Sequence, residues 1–244
     1  MPQFEIVTTA EREDLHDQFA TAFKSSWPEF IFHDPVAHQF VSAVQERFAR
    51  YDITVVSDNH VVAGGWGITL AWDQTVENLP GGYDDALVRA LSQLDSSRHD
   101  TLSIMAIAVH PRYRGQGLSS LIISELRRRA ESDDVPHVIA PVRPPLKSSY
   151  PLTRMVDFAQ WRRGSGEHID PWIRLHERMG AVILGPAERS MIITGSVDEW
   201  QSWTGMLFPQ SGAYVVPEAL DLVVFDCAND TGVYIEPNLW MRHC

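Results

Sequence analysis

The sequence predicts a mixed α/β fold, and three patterns carry that prediction. Residues 104–121 run from an apolar strand through Pro111 and an Arg/Gly-rich turn into a helix. A second strand-like run, 137–142, follows that helix, the order expected of a crossover between parallel strands. Elsewhere, strand-like runs flank short turn signals in the manner of antiparallel hairpins.

Taken in order, residues 4–8 alternate and read as a short strand. Thr9 is placed to cap a helix over 10–24, with acidic residues 11–14 in its first turn, where the helix dipole favours them. Asp34 followed by Pro35 opens a helix over 35–50. Residues 53–57 and 61–72 read as strands joined at Asp58-Asn59, and Gly64-Gly65 marks a bulge or a close backbone approach. Residues 73–100 are polar and irregular apart from a helix over 84–94. The strand at 101–109 leads to a helix over 116–132 with Leu118, Leu121, Ile122 and Leu126 on one face and Arg127–Arg129 in its last turns. A long connection, 143–169, contains a helix near 153–162. Asp170-Pro171 starts a helix that ends at Gly180. Strand runs at 181–184 and 190–194 follow, then a capping box, Ser196 to Glu199. Residues 214–225 and 232–240 read as a hairpin.

Composition narrows the function. The chain has 244 residues, 44% of them hydrophobic, enough for a sizeable core. It contains no run of about 18 apolar residues, and its N-terminus lacks the basic-then-apolar order of a secretion signal, so neither membrane nor export is expected. The only cysteines, Cys227 and Cys244, lack metal-ligand spacing, which fits a cytoplasmic protein. A net charge of −12 argues against a nucleic-acid partner; it suits a cationic small molecule, or simply solubility.

The turn at 109–119, Val-His-Pro-Arg-Tyr-Arg-Gly-Gln-Gly-Leu-Ser, resembles the acetyl-CoA-binding signature of the GCN5-related N-acetyltransferases, Arg/Gln-x-x-Gly-x-Gly/Ala. Two registers fit, Arg112-x-x-Gly115-x-Gly117 and Arg114-x-x-Gly117-x-Ser119. The second keeps the family's spacing from the strand and its Val-x-Pro lead, with Ser119 as the departure. Residues 175–181, Leu-His-Glu-Arg-Met-Gly-Ala, resemble the family's Leu-Tyr-Glu-Lys-x-Gly-Phe. The likeness is clear over 52–184, reaches back to 4, and fades beyond 190. The division it suggests is an acyltransferase domain over 1–195 with a C-terminal β extension, 196–244, packed on it.

The resemblance implies a twisted, mostly antiparallel sheet splayed around acetyl-CoA or another acyl-CoA and flanked by helices. Backbone N–H groups of Arg114, Gly115, Gln116, Gly117, Leu118 and Ser119 would hold the pyrophosphate. The strand edge at Ile107, Ala108 and Val109 would pair with pantetheine, and the Val109 N–H would polarise the acyl carbonyl. His176 stands where the family has its Tyr acid, with Tyr150 as a substitute, and Ile169 replaces the family's Asn. Asp73, Asp157, Glu167 and His168 are candidate bases, and His110 reads as structural. Connection 143–169, carrying Arg143, Lys147, Arg154, Arg162 and Arg163 beside Tyr150, Phe158 and Trp161, is the candidate acceptor site. The aromatic tail reads as core. The expected activity is acyl transfer to a small-molecule amine by direct attack on the thioester, in a chain free to form a homodimer. The alternatives are a thioester decarboxylase or hydrolase on the same scaffold and a non-catalytic CoA-binding module.

Overall fold

A computed structural model describes residues 4–24, 26–93 and 99–243. The expected helix end at Leu94, and Cys244, lie outside the described residues. In chain order the elements are β1 (Glu5–Thr8), α1 (His16–Lys24), α2 (Pro35–Arg47), β2 (Asp52–Ser57), β3 (His60–Leu70), α3 (Tyr83–Ser92), β4 (Thr101–Val109), α4 (Leu118–Ser132), β5 (His137–Val142), α5 (Met155–Phe158), α6 (Pro171–Arg178), β6 (Ala181–Gly195), α7 (Val197–Thr204), β7 (Gly212–Tyr214), β8 (Val223–Asp226) and β9 (Thr231–His243). The fold is mixed α/β with mostly antiparallel strand pairing. The chain forms two compact units: 1–27, 40–73 and 87–140 make the first; 28–39, 74–86 and 141–244 make the second.

In the first unit β1, β2, β3 and β4 pair antiparallel in sequence, and β5 pairs parallel to β4. Asp58 and Asn59 turn the β2–β3 hairpin with φ of +48° and +62°, the left-handed pair that a two-residue hairpin requires. Gly64 has no room for a side chain, because a Cβ there would sit 2.3 Å from the Phe19 ring. Helix α4 buries Leu118, Ile122, Ile123, Leu126 and Ala130; Leu121, expected on this face, is only half-buried. Its basic end is helix chemistry: Arg128 and Arg129 both bond Glu125, and Arg129 caps the Arg50 carbonyl at 2.6 Å.

In the second unit β6 and β9 form a long antiparallel ladder, continued through β8 to β7. The runs expected at 181–184 and 190–194 are one strand with two register shifts, which absorb the polar residues between them. The strand expected over 214–225 is instead two short strands, because Pro217 and the polar residues around it break the ladder between 214 and 223. The tail aromatics are core, with Trp200, Phe208, Phe225 and Tyr234 packed around Ile193 and Phe30.

Three of the expected caps form. Asp34 Oδ1 accepts from the Ala37 N–H, Asp170 Oδ1 from Trp172 and Ile173, and Ser196 and Glu199 bond each other's backbone N–H. The helix expected over 10–24 starts as a 3-10 turn and becomes α-helical only at His16, because Arg12 leaves helical φ/ψ.

Candidate active site

The site begins where a strand outruns its neighbour. β4 pairs with β3 as far as Ala63↔Val109, but with β5 only over Thr101↔His137 to Ser103↔Ile139. Residues 104–109 therefore continue with β3 on one side and no described strand pair on the other. The His110 N–H donates to the Val62 carbonyl at 2.9 Å, toward β3. Along a strand successive peptide groups alternate in direction, so the N–H and C=O of Val109 and Ile107 point away from β3. Ile107 and Val109 are half-buried and Ala108 is buried.

The chain then turns. His110 Nδ1 accepts from the Arg112 N–H at 3.3 Å, so this histidine shapes the turn. Arg114, Gly115, Gln116 and Gly117 are exposed. Gly115 and Gly117 both hold φ at +78°, in the left-handed region, and a Cβ on either would meet nothing within 4 Å. Gly117 starts α4 without a side-chain cap, so the first N–H groups of a 15-residue helix face open space. Leu118 turns into the core and anchors the helix start, and Ser119 is half-buried. A positive helix end, a cradle free of side chains and a strand edge with outward amides fit the pyrophosphate and amide chain of CoA.

The acid–base candidates belong to the second unit apart from Asp73, which is exposed in the first. Tyr150 is 40% exposed and packs edge-on against Trp161 at 4.9 Å. His176 is buried, its Nδ1 2.9 Å from His243 Nε2, and stacks edge-on with Trp172. Burial, then the neighbouring His243, holds His176 down to about 3, so it is neutral near pH 7. His168 is fully buried between the Phe158 carbonyl and the Asp170 N–H, and burial first holds it down to about 4. Glu167 pairs with Arg178 and Asp157 with Arg154, both at the surface. No described contact joins Tyr150 to His176.

Connection 143–169 is not a uniform basic face. Arg143 turns inward to Glu236, and Arg162 pairs with Glu177. Lys147 is fully buried, with its ammonium on the Tyr150 and Leu220 carbonyls.

Sequence reasoning missed a buried polar network in the second unit. Tyr234, Glu236 and Asn238 share one face of β9. Glu236 accepts from Arg143 Nε, from the Tyr234 hydroxyl and from Asn238 Nδ2. Asn238 Oδ1 accepts from the Ser190 hydroxyl at 2.6 Å, and Ser190 Oγ accepts from the Tyr83 N–H at 2.8 Å. The one sequence signal was the period-two spacing of polar residues in 234–238. It is easily read as an outward face, yet Glu236 is 1% exposed. Among the described residues no group of three or more His, Cys, Asp or Glu is arranged to hold a metal ion.

A strand edge with outward amides that runs into a glycine-lined turn at an uncapped helix start is an arrangement suited to an acyl-CoA. Residues 13–158 match the family model described as the acetyltransferase (GNAT) family. The arginine N-acetyltransferase avaD of Aspergillus versicolor is 26% identical, covering 99% of this chain and 94% of that protein. In fold, the chain is similar to the loading GNATL domain of CurA from Lyngbya majuscula, with a TM-score of 0.60 and 13% identity over 99% of this chain and 97% of that one. It is also similar to the GphF GNAT-like decarboxylase in complex with isobutyryl-CoA, with a TM-score of 0.58 and 15% identity over 99% and 98%.

The chain belongs to the acetyltransferase (GNAT) family, and it is an acyl-CoA-dependent N-acyltransferase.

Proposed function

We propose that the chain transfers an acyl group, acetyl by default, from CoA to a small-molecule amine that attacks the thioester directly. The observation that carries this is β4 running past its last pairing with β5 into the Gly115/Gly117 cradle. In this reading the backbone N–H groups of 114–119 bind the pyrophosphate. The outward edge at Ile107 and Val109 aligns the pantetheine amides, and the Val109 N–H polarises the acyl carbonyl. CoA supplies the activated acyl group; the protein supplies alignment, exclusion of water and proton transfers. Tyr150 and His176 are the residues proposed for proton delivery to the departing thiolate, and their unequal burial separates them. Tyr150 is open to solvent, whereas His176 would act from within the packing of α6 on β9. Connection 143–169 is proposed to contact the acceptor.

The avaD relative, named for arginine, supports an amine acceptor over the decarboxylase reading, since the decarboxylase neighbour shares the fold at only 15% identity. We further propose that residues 1–195 carry the acyl transfer and that 196–244 extend that frame. Among the described residues no helix is long and apolar enough to cross a membrane; a cytoplasmic setting is proposed from the sparing use of cysteine, two in 244 residues.

The test is thiol release from acetyl-CoA against a panel of amines, arginine included. Release that requires an amine, with an acylated product, is the expected result; no release with any amine overturns the reading. In the same assay Tyr150→Phe is expected to lower kcat by about 100-fold with CoA affinity kept. His176→Ala is expected to slow turnover more than it weakens CoA binding, and a wild-type rate in either variant removes that residue from catalysis.

A further inference from the structure

The turn between β4 and α4, all within the first unit, has little to hold it. Arg112, Arg114, Gly115, Gln116 and Gly117 are exposed, and the glycines bring no side chain that could pack. The described contacts that tie its first residues to the end of β4 run through the half-buried His110. The His110 N–H donates to the Val62 carbonyl at 2.9 Å, which fixes the residue to β3. Its carbonyl accepts from the Tyr113 N–H at 2.9 Å. Its ring accepts from the Arg112 N–H through Nδ1 at 3.3 Å and packs edge-on against the Tyr113 ring, with centroids 5.9 Å apart. Pro111 fixes φ but has no N–H, so the Arg112 N–H is the first amide of the turn that needs a partner.

We propose that the His110 imidazole is a positioning residue for the cofactor: by holding the Arg112 N–H it sets the path of the turn that presents amides to the pyrophosphate of CoA. The inference rests on the acyltransferase reading, and the residue acts through the backbone of 112–117. Glycine adopts left-handed dihedrals at little cost, so Gly115 and Gly117 permit this path without enforcing it. An enforced path needs an anchor ahead of the glycines. A side-chain acceptor that bonds an N–H two residues on is such an anchor, as in Asx turns and N-caps. Behind the glycines, the buried Leu118 fixes the helix start. With both ends held, the turn is ordered before the ligand arrives, and less ordering remains to oppose binding.

The acceptor and the ring are separable. His110→Asn keeps a side-chain oxygen able to accept an N–H two residues on and gives up the ring. His110→Phe keeps a ring against Tyr113 and gives up the acceptor. His110→Ala gives up both. The backbone bonds to Val62 and Tyr113 are common to all of them. So is the outward edge at Ile107 and Val109, on the β4 side of the turn. A ligand that uses only that edge therefore does not sense the change, whereas one that carries the pyrophosphate does.

The experiment is calorimetric titration of the full chain and these variants with CoA, together with competition against CoA by pantetheine, which carries the amide chain and no phosphate. His110→Ala and His110→Phe are expected to lose about tenfold in CoA affinity, the size of a lost N-cap, with pantetheine affinity kept. His110→Asn is expected to stay within about threefold of wild type for both ligands. The proposal is overturned if either His110→Ala or His110→Phe binds CoA as wild type does, if His110→Asn loses as much as His110→Ala, or if pantetheine weakens in step with CoA. Wild type that binds CoA no more tightly than pantetheine overturns it as well, together with the cradle. Thiol release to amines that survives any of those results leaves acyl transfer standing. The expected pattern of affinities with no thiol release from any amine overturns acyl transfer instead and keeps His110 in its role.

Discussion

The turn proposed as the cofactor cradle in the first unit and the polar network of the second are built from opposite materials. The cradle is backbone: exposed glycines at 115 and 117, an uncapped helix start and the outward amides of a strand edge. The network is side chain: Arg143, Glu236, Tyr234, Asn238 and Ser190, mostly buried and bonded to one another. A backbone site tolerates most side chains that keep its geometry and fails when a dihedral is lost. A side-chain network tolerates little at its centre, because each member removed leaves a buried charge or dipole without its partner.

The largest expected effect is therefore on stability, in the network. Glu236→Gln keeps the shape and an acceptor for Tyr234 but removes the charge facing Arg143, whose side chain is 17% exposed. Leaving that guanidinium buried without its counter-charge is expected to cost about 3 kcal/mol. Urea denaturation followed by tryptophan fluorescence measures it; an unchanged midpoint would show that the pair is dispensable.

A smaller effect, of a different kind, is expected in the cradle. Gly117→Val forces a β-branched residue to adopt φ +78° and puts a side chain where the helix start is now open. The strain amounts to about 2 kcal/mol, and relief of it by moving the turn is expected to weaken CoA binding by roughly 30-fold or more. Calorimetry with CoA reads this, and the thermal midpoint should move by only a few degrees. Unchanged CoA affinity would sever the cradle from the cofactor.

The same contrast explains what could be read before any coordinates. The proposed cradle lies on one continuous stretch, 104–119, and strand, turn residue and helix period are local signals, so its strand, its turn glycines and its helix start were legible. So were the Asp58-Asn59 hairpin and the caps at Asp34, Asp170 and Ser196, each decided within four residues. The network was not legible, because Ser190, Arg143 and Glu236 come from distant stretches: the ladder of β6 on β9 brings Ser190 toward Asn238 and Glu236, and Arg143 reaches Glu236 from the connection after β5. Lys147 misled for the same reason. In a basic loop it reads as a surface cation, yet the carbonyl it bonds at Leu220 lies far along the chain.

Legibility is not energetic weight, and the smallest predicted effect makes the point. The capping box at Ser196 is among the clearest signals in the chain, and both of its reciprocal bonds form: Glu199 N–H to Ser196 Oγ at 3.2 Å and Ser196 N–H to Glu199 Oε2 at 2.7 Å. It lies at the surface, where water can replace either partner. Ser196→Ala is therefore expected to cost about 1 kcal/mol, a few degrees in thermal midpoint at most, with CoA binding and turnover unchanged. Helix α7 keeps its place through the buried Trp200, whose indole N–H donates to the Gly232 carbonyl at 3.0 Å, and that bond does not depend on the cap. A loss as large as that of Glu236→Gln would mean that the cap, not the buried indole, holds α7 against β9.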